Sequence, residues 1–258
     1  MLDSAQIVLG ALCGGAVGLA LGLVGGGGSI LAVPLMVHVV GVAEPHVAIG
    51  TSALAVAVNA ATSLGHHARA HTVKWRCGAI YAGAGILGAT AGSTLGKAID
   101  GQKLLALFAV IMVVIGALML RNRRDAGIAG AQCSRENAGQ VVGYGLATGT
   151  VSGFFGIGGG FLIVPGLVAS THMPMINAVG TSLVAVTAFG LTTALNYAAS
   201  GLVDWALAGV FIAGGLGGGL AGAAVARRLS DRGSLSTVFA FLIFAVAAYM
   251  LWHAAAAL

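Results

Sequence analysis

The chain is short of charge. Only 7% of its 258 residues are Asp, Glu, Lys or Arg, where a soluble domain carries about a quarter to keep its surface wet. With 58% hydrophobic residues and a mean hydropathy of +0.99, the composition suits a lipid bilayer, and no stretch reads as a water-soluble appendage. Carboxylates number seven and none falls at the centre of an apolar run, which leaves an acidic proton relay or a cation pump without its groups. Cys13, Cys77 and Cys133 lie far apart and form no C-x-x-C, so a disulfide framework, a zinc site or a thiol relay is not expected and the three read as packing and loop residues. His66, His67 and His71 have no partner carboxylate or cysteine pattern for a metal. No Gly-Lys-Ser/Thr follows a glycine tract, which removes a nucleotide loop. No cofactor, metal or catalytic group is expected. Met1-Leu2-Asp3 carries no basic stretch, and the first apolar run therefore reads as a retained span. The net charge of +5 does not indicate nucleic acid, because the basic residues sit in short clusters between apolar runs, as cytoplasmic loop charges do.

What the chain does have is a repeat. Gly22-Leu-Val-Gly-Gly-Gly-Gly-Ser-Ile-Leu-Ala-Val-Pro34 returns 131 positions on as Gly153-Phe-Phe-Gly-Ile-Gly-Gly-Gly-Phe-Leu-Ile-Val-Pro165. Gly50-Thr51-Ser52 returns 130 positions on as Gly180-Thr181-Ser182, and Trp75 as Trp205. Apolar runs fall at about 4–24, 30–42, 47–65, 77–96 and 104–120, then at 140–155, 160–171, 176–198, 205–226 and 235–254. The fold expected is an all-α polytopic membrane protein of two repeats, 1–125 and 126–258, joined by a connector at about 121–139 into one membrane domain. The pieces beside the glycine tracts are short for full spans. They are half-helices or a re-entrant hairpin, and either way each repeat crosses an odd number of times.

Consecutive odd repeats must point in opposite directions, the inverted arrangement of many transporters. Loop charge gives an independent criterion, since Lys and Arg gather on the cytoplasmic side. Placing Arg121, Arg123, Arg124 and Arg135 inside also places Arg69, Lys74 and Arg76 inside, with Arg227, Arg228 and Arg232. The loop around Asp204, equivalent to the Arg69 loop, has no Lys or Arg and falls outside; Lys97 and Lys103 on that side are a mild conflict. Four spans per repeat would put the Arg227 cluster outside and ranks second. Both termini are expected in the periplasm, and the protein in the bacterial inner membrane.

Gly14, Gly18 and Gly22 match Gly145, Gly149 and Gly153, while Gly88 and Gly92 match Gly218 and Gly222. Spacing of four places each set on one helix face, where missing side chains let another helix come close; they read as packing seams. The tracts themselves, Gly25, Gly26, Gly27, Gly28 and Ser29 with Gly156, Gly158, Gly159 and Gly160, permit non-helical backbone whose amides need partners. They are either a substrate-binding break or a plain turn. Thr51, Ser52, Thr181 and Ser182 follow the breaks Glu44-Pro45-His46 and His172-Met173-Pro174, so their hydroxyls lie toward helix N-termini, which attract anions. They are substrate ligands or hydroxyls bonded back to their own carbonyls. Ser52, Asn59 and Ser63 share a face, as do Thr193, Asn196 and Ser200; Asn59 and Asn196 line a path or act as interhelical glue. His38 reads as a buried neutral histidine.

The paired tracts ending in Pro34 and Pro165, each followed by Gly-Thr-Ser, resemble the sulfite exporter TauE/SafE family of membrane permeases over nearly the whole chain. The resemblance implies transport, often outward, of sulfur-containing anions such as sulfite, sulfoacetate or other organosulfonates. The expected partners are therefore a small anionic substrate and the lipid bilayer. The physical reading agrees in kind: hydroxyls and amides between two repeats can hold an oxyanion without a cationic side chain, with the repeats moving against each other in alternating access. Two other classes are a passive anion or small-solute channel, distinguished by linear rather than saturable flux, and an intramembrane hydrolase using Ser152, for which no histidine is a convincing partner.

Overall fold

The computed structural model describes residues 3–121, 133, 137–156 and 160–230. The expected segment at 235–254, most of the connector with Arg123, Arg124 and Arg135, and Arg232, Gly158 and Gly159 lie outside the described residues. The described chain is helical, without a strand: α1 (Ser4–Val24), a 3₁₀ segment (Gly25–Leu31), α2 (Ala32–His38), α3 (Pro45–Arg69), α4 (Trp75–Lys97), α5 (Gly101–Arg121), α6 (Ala138–Phe155), α7 (Gly160–Thr171), α8 (Met175–Ala198) and α9 (Trp205–Ser230). The starts follow local chemistry. Pro45 occupies the first turn of α3, where its missing N–H costs nothing. Asp100 accepts from the amides of Gln102 and Lys103 at 3.1 Å to start α5, and Asp204 from Leu207 N at 3.0 Å to start α9.

Ser4–His38, Pro45–Arg69, Met175–Ala198 and Trp205–Val225 are long and apolar enough to cross a bilayer, and Gly101–Ile111 and Leu162–Thr171 are shorter apolar helices. Ser4–His38 is not one rod. Gly25 takes φ +66°, and Gly28 lies against the backbone of Ala20 and Leu21, so the chain folds back on α1. With its 23 residues, α4 reaches about 34 Å at 1.5 Å per residue, enough for a crossing; Gly78, Gly85, Gly88, Gly92, Gly96 and Ser93 on its buried face lower its hydropathy.

Glycine fixes the pairings. A side chain on Gly14, Gly18 or Gly22 of α1 would strike the carbonyl of Phe211, Gly215 or Gly219 of α9, and one on Gly214, Gly218 or Gly222 would strike that of Ala11, Gly15 or Leu19. Partner numbers rise together, so α1 and α9 run parallel. In the same way Gly145, Gly149 and Gly153 of α6 meet the carbonyls of Tyr81, Gly85 and Ala89 of α4, again in parallel. The glycines paired in the sequence thus form the two seams, each joining the first helix of one repeat to the fourth helix of the other. Between the seams lie α3 and α8: Gly50 meets Tyr197, and Gly190 meets Ala53 and Ala57, so these two are antiparallel. Further, α3 runs parallel to α9 (Thr51 to Asp204, Asn59 to Gly215) and α4 parallel to α8 (Gly78 to Val184, Lys97 to Ser200). Leu12, Leu87, Leu195 and Leu220 point out of the bundle, as lipid-facing residues do.

One expectation fails. Cys77, in the first turn of α4, is disulfide-bonded to Cys133 of the connector, with Cα atoms 5.3 Å apart; Cys13 is buried and free. Spacing rules detect local ligand patterns, whereas these two cysteines lie 56 residues apart in the chain and meet only in the folded protein, with Cys133 against the first turn of α4.

Candidate functional site

The two glycine tracts cross at the middle of the bundle. Gly25 and Gly156, equivalent in the repeat, both take positive φ, +66° and +67°, Gly156 in the left-handed helical region and Gly25 with ψ −141° outside it, conformations glycine adopts without the Cβ penalty. Gly25 packs on Val179 and Ser182 of α8, and Gly156 on Ile49 of α3; Ile49 and Val179 are themselves 130 positions apart. Beyond these turns the backbones touch: a Cβ on Gly160 would overlap the carbonyl of Gly26. The amide of Gly26 donates to Ser182 Oγ at 3.0 Å, and that of Gly160 to Ser29 Oγ at 3.3 Å. Ser29 Oγ donates in turn to Gly26 O at 2.8 Å. Two repeats thus exchange backbone amides and serine hydroxyls at one point, where Ser29, Ser52 and Ser182 are wholly buried. Amides at broken helices with serine hydroxyls beside them are donors suited to an oxyanion.

The other expected residues divide. Gly50-Thr51-Ser52 and Gly180-Thr181-Ser182 lie in the second turns of α3 and α8, so the helix starts at the buried crossing belong to α7 and the 3₁₀ segment instead. Ser52 Oγ donates to Ile49 O at 3.0 Å and Ser182 Oγ to Val179 O at 2.8 Å. Thr51 Oγ1 accepts from Asp204 N, and Thr181 Oγ1 from Lys74 N, each at 2.9 Å. These threonines tether the loop before a helix of the opposite repeat. Gly27 and Gly28 are buried in the 3₁₀ segment, with Gly28 against α1. Asn59, on the face of α3 that meets Gly215, is fully buried with neither side-chain polar atom bonded. Ser63 and Thr193, equivalent in the repeat, are buried with free hydroxyls as well. Asn196 stands apart, 14 residues along α8 from Ser182, about 21 Å at helical rise. His38 is partly buried, its Nδ1 3.2 Å from Pro34 O.

Asn196 instead joins a residue that sits awkwardly with the loop-charge criterion. Lys97, at the end of α4, donates to Asn196 O, Asn196 Oδ1 and Ser200 Oγ at 3.0, 2.7 and 2.8 Å, and lies 5.9 Å from the Tyr197 ring centroid. Asn196 Nδ2 donates back to Ser93 Oγ at 2.6 Å and Thr94 Oγ1 at 3.1 Å. A signal for it exists in the sequence: Lys97 and Arg227 are 130 positions apart, at matching ends of α4 and α9.

A bundle of apolar helices whose duplicated glycine breaks meet around buried serines defines a polytopic membrane transporter. Comparison with known proteins makes the class specific. Residues 10–250 match the family described as sulfite exporter TauE/SafE, and the chain belongs to that family. A protein named "Probable membrane transporter protein" from Xylella fastidiosa strain Temecula1 is 52% identical over 247 residues, 95% of each chain; its counterpart from strain 9a5c is 51% identical over 252 residues, again 95% of each. A "Probable membrane transporter protein" of Bacillus subtilis, YunE, is 30% identical over 249 residues, 88% of this chain and 89% of that one. No solved structure matches. The protein is a membrane transporter, not an enzyme.

Proposed function

We propose that this transporter is a secondary carrier that moves sulfur-containing oxyanions such as sulfite, sulfoacetate or other organosulfonates outward across the bacterial inner membrane, by alternating access between two repeats of opposite orientation. The observation that carries the reading is the crossing of the glycine tracts, with Gly26 N on Ser182 and Gly160 N on Ser29. An anion entering there takes over donors that now satisfy one another, at little desolvation cost to the protein. Gly25 to Ser29, Gly156, Gly160, Ser52 and Ser182 form the binding centre; Thr51 and Thr181 hold its frame, and Asn59 lines the way along α3.

The helix directions support inversion. α1, α3 and α9 run one way and α4, α6 and α8 the other, so α1, α3 and α4 of the first repeat oppose their sequence equivalents α6, α8 and α9 in the second. The equivalent Trp75 and Trp205, both well exposed, start antiparallel helices and thus mark opposite interfaces, where tryptophan concentrates. Loop charge favours the Arg69–Arg76 end in the cytoplasm and the Lys97 and Asp204 end in the periplasm, with both termini periplasmic; the Cys77–Cys133 disulfide at the Arg76 end weighs the other way, since disulfides are rare in a reducing compartment. In proteoliposomes, radiolabelled sulfite or sulfoacetate flux is expected to saturate and to fall at least tenfold in Ser182→Ala, the loss of about 1.4 kcal/mol of binding. Undiminished flux in both Ser182→Ala and Ser52→Ala removes the serines from the site, and flux linear in concentration marks a channel.

A further inference from the structure

We propose that Lys97 is the gating and charge-selecting residue of the outer mouth: it latches the α4–α8 seam shut and opens it by exchanging Asn196 and Ser200 for the transported anion. The inference rests on the carrier reading above and extends it to a site outside the central crossing.

Three features carry it. First, all three acceptors of the Lys97 ammonium are neutral oxygens from α8 and the turn that ends it, so an anion offers a stronger partner than the one it has. Second, the bonds join α4 of the first repeat to α8 of the second at their outer ends, where no glycine seam holds the two helices, so they resist any tilt of α8 against α4 during transport. Ser93, beneath the latch, is fully buried, so the closed latch excludes water from the seam. Third, the equivalent place at the other end of the molecule is built differently. The repeat carries Ser93, Thr94, Asn196 and Ser200 onto Ala223, Ala224, His66 and Ala70, and His66, His67, Ala70 and Ala223 line a cleft there. One end is bonded shut by a lysine and four polar side chains. The other, on the α3–α9 seam, has alanines at three of the four equivalent places, a cleft no larger than a water molecule, and buried His67 with its Nε2 3.2 Å from Gly22 O in place of a lysine latch. A carrier whose outer end is bolted by charge-assisted bonds and whose inner end is held by packing has this asymmetry.

The test uses the full chain in a background with Cys13, Cys77 and Cys133 replaced by serine. In Ser93→Cys, a membrane-impermeant maleimide applied from outside is expected to react slowly, and several-fold faster when sulfite is added. Adding Lys97→Met makes the reaction fast and insensitive to sulfite; Lys97→Arg restores slow, sulfite-responsive labelling. In flux measurements, Lys97→Met raises KM at the outer face by about tenfold, the effect of one lost charge contact of roughly 1.4 kcal/mol, and leaves KM at the inner face unchanged. A Ser93→Cys thiol that stays protected when Lys97→Met is added overturns the latch, as does a KM that is unaltered or changes equally on both faces. Absence of flux in the wild type condemns the carrier reading instead, while labelling of the Ser93→Cys thiol without sulfite still decides whether Lys97 closes the seam.

Discussion

Replacing Gly160 with alanine tests the central crossing with the smallest possible change. A methyl group there overlaps the carbonyl oxygen, carbonyl carbon and Cα of Gly26. These are backbone atoms that no rotamer change can move, so the two tracts must separate. Overpacking of this kind costs about 1–3 kcal/mol. Separation also breaks Gly26 N to Ser182 and Gly160 N to Ser29, and a buried amide left unpaired costs roughly 1–3 kcal/mol. Gly160 is the first residue of α7, so helix propensity returns little, and the net loss is on the order of 3–5 kcal/mol. Gly83→Ala is the control: nothing lies within 4 Å of its added methyl, and in mid-helix alanine gains up to about 1 kcal/mol. Thermal denaturation in detergent, followed by tryptophan fluorescence, and sulfite flux in proteoliposomes give the readout. Gly160→Ala is expected to melt well below the wild type and to carry no flux, while Gly83→Ala melts at or above the wild type with full flux. A Gly160→Ala protein as stable and active as the parent refutes the crossing.

Asn59→Leu removes a buried amide that has no partner, so the folded state is expected to gain about 1–2 kcal/mol while sulfite flux drops; a gain in stability with flux intact makes Asn59 a packing residue. Reduction of the Cys77–Cys133 bridge, which closes a loop of 56 residues, is expected to lower stability by about 2–4 kcal/mol. Peptide mapping without reductant should recover the linked pair, and two freely alkylated thiols would contradict the bond. Arg76→Cys and Ala206→Cys, exposed and equivalent in the repeat, should label from opposite faces of oriented vesicles, and labelling from one face sinks the inversion.

Helix limits were legible because composition switches sharply at each end: α1 at Ser4–Val24 and α7 at Gly160–Thr171 coincide with the apolar runs. The seams were legible because glycine spacing of four has few other uses in a membrane helix, but which helices they join was not, since a glycine face records closeness and not the neighbour's identity. The tracts were readable as breaks through their duplication. The threonines were harder: a hydroxyl near a helix start looks the same whether it faces a ligand or a loop amide, and only the approach of Lys74 and Asp204 from the opposite repeat separates the two. Asn196 shared a face with Ser200 in the sequence, yet its partner Lys97 comes from another helix. The disulfide left no local pattern at all.

The central claim, that an oxyanion is carried through the crossing of the two repeats, meets its most direct test in exchange kinetics. Proteoliposomes loaded with unlabelled sulfite and diluted into trace labelled sulfite should accumulate label transiently against its gradient, and the uptake should vanish in Gly160→Ala. Uptake that is indifferent to internal sulfite, or that persists in Gly160→Ala, would contradict the account.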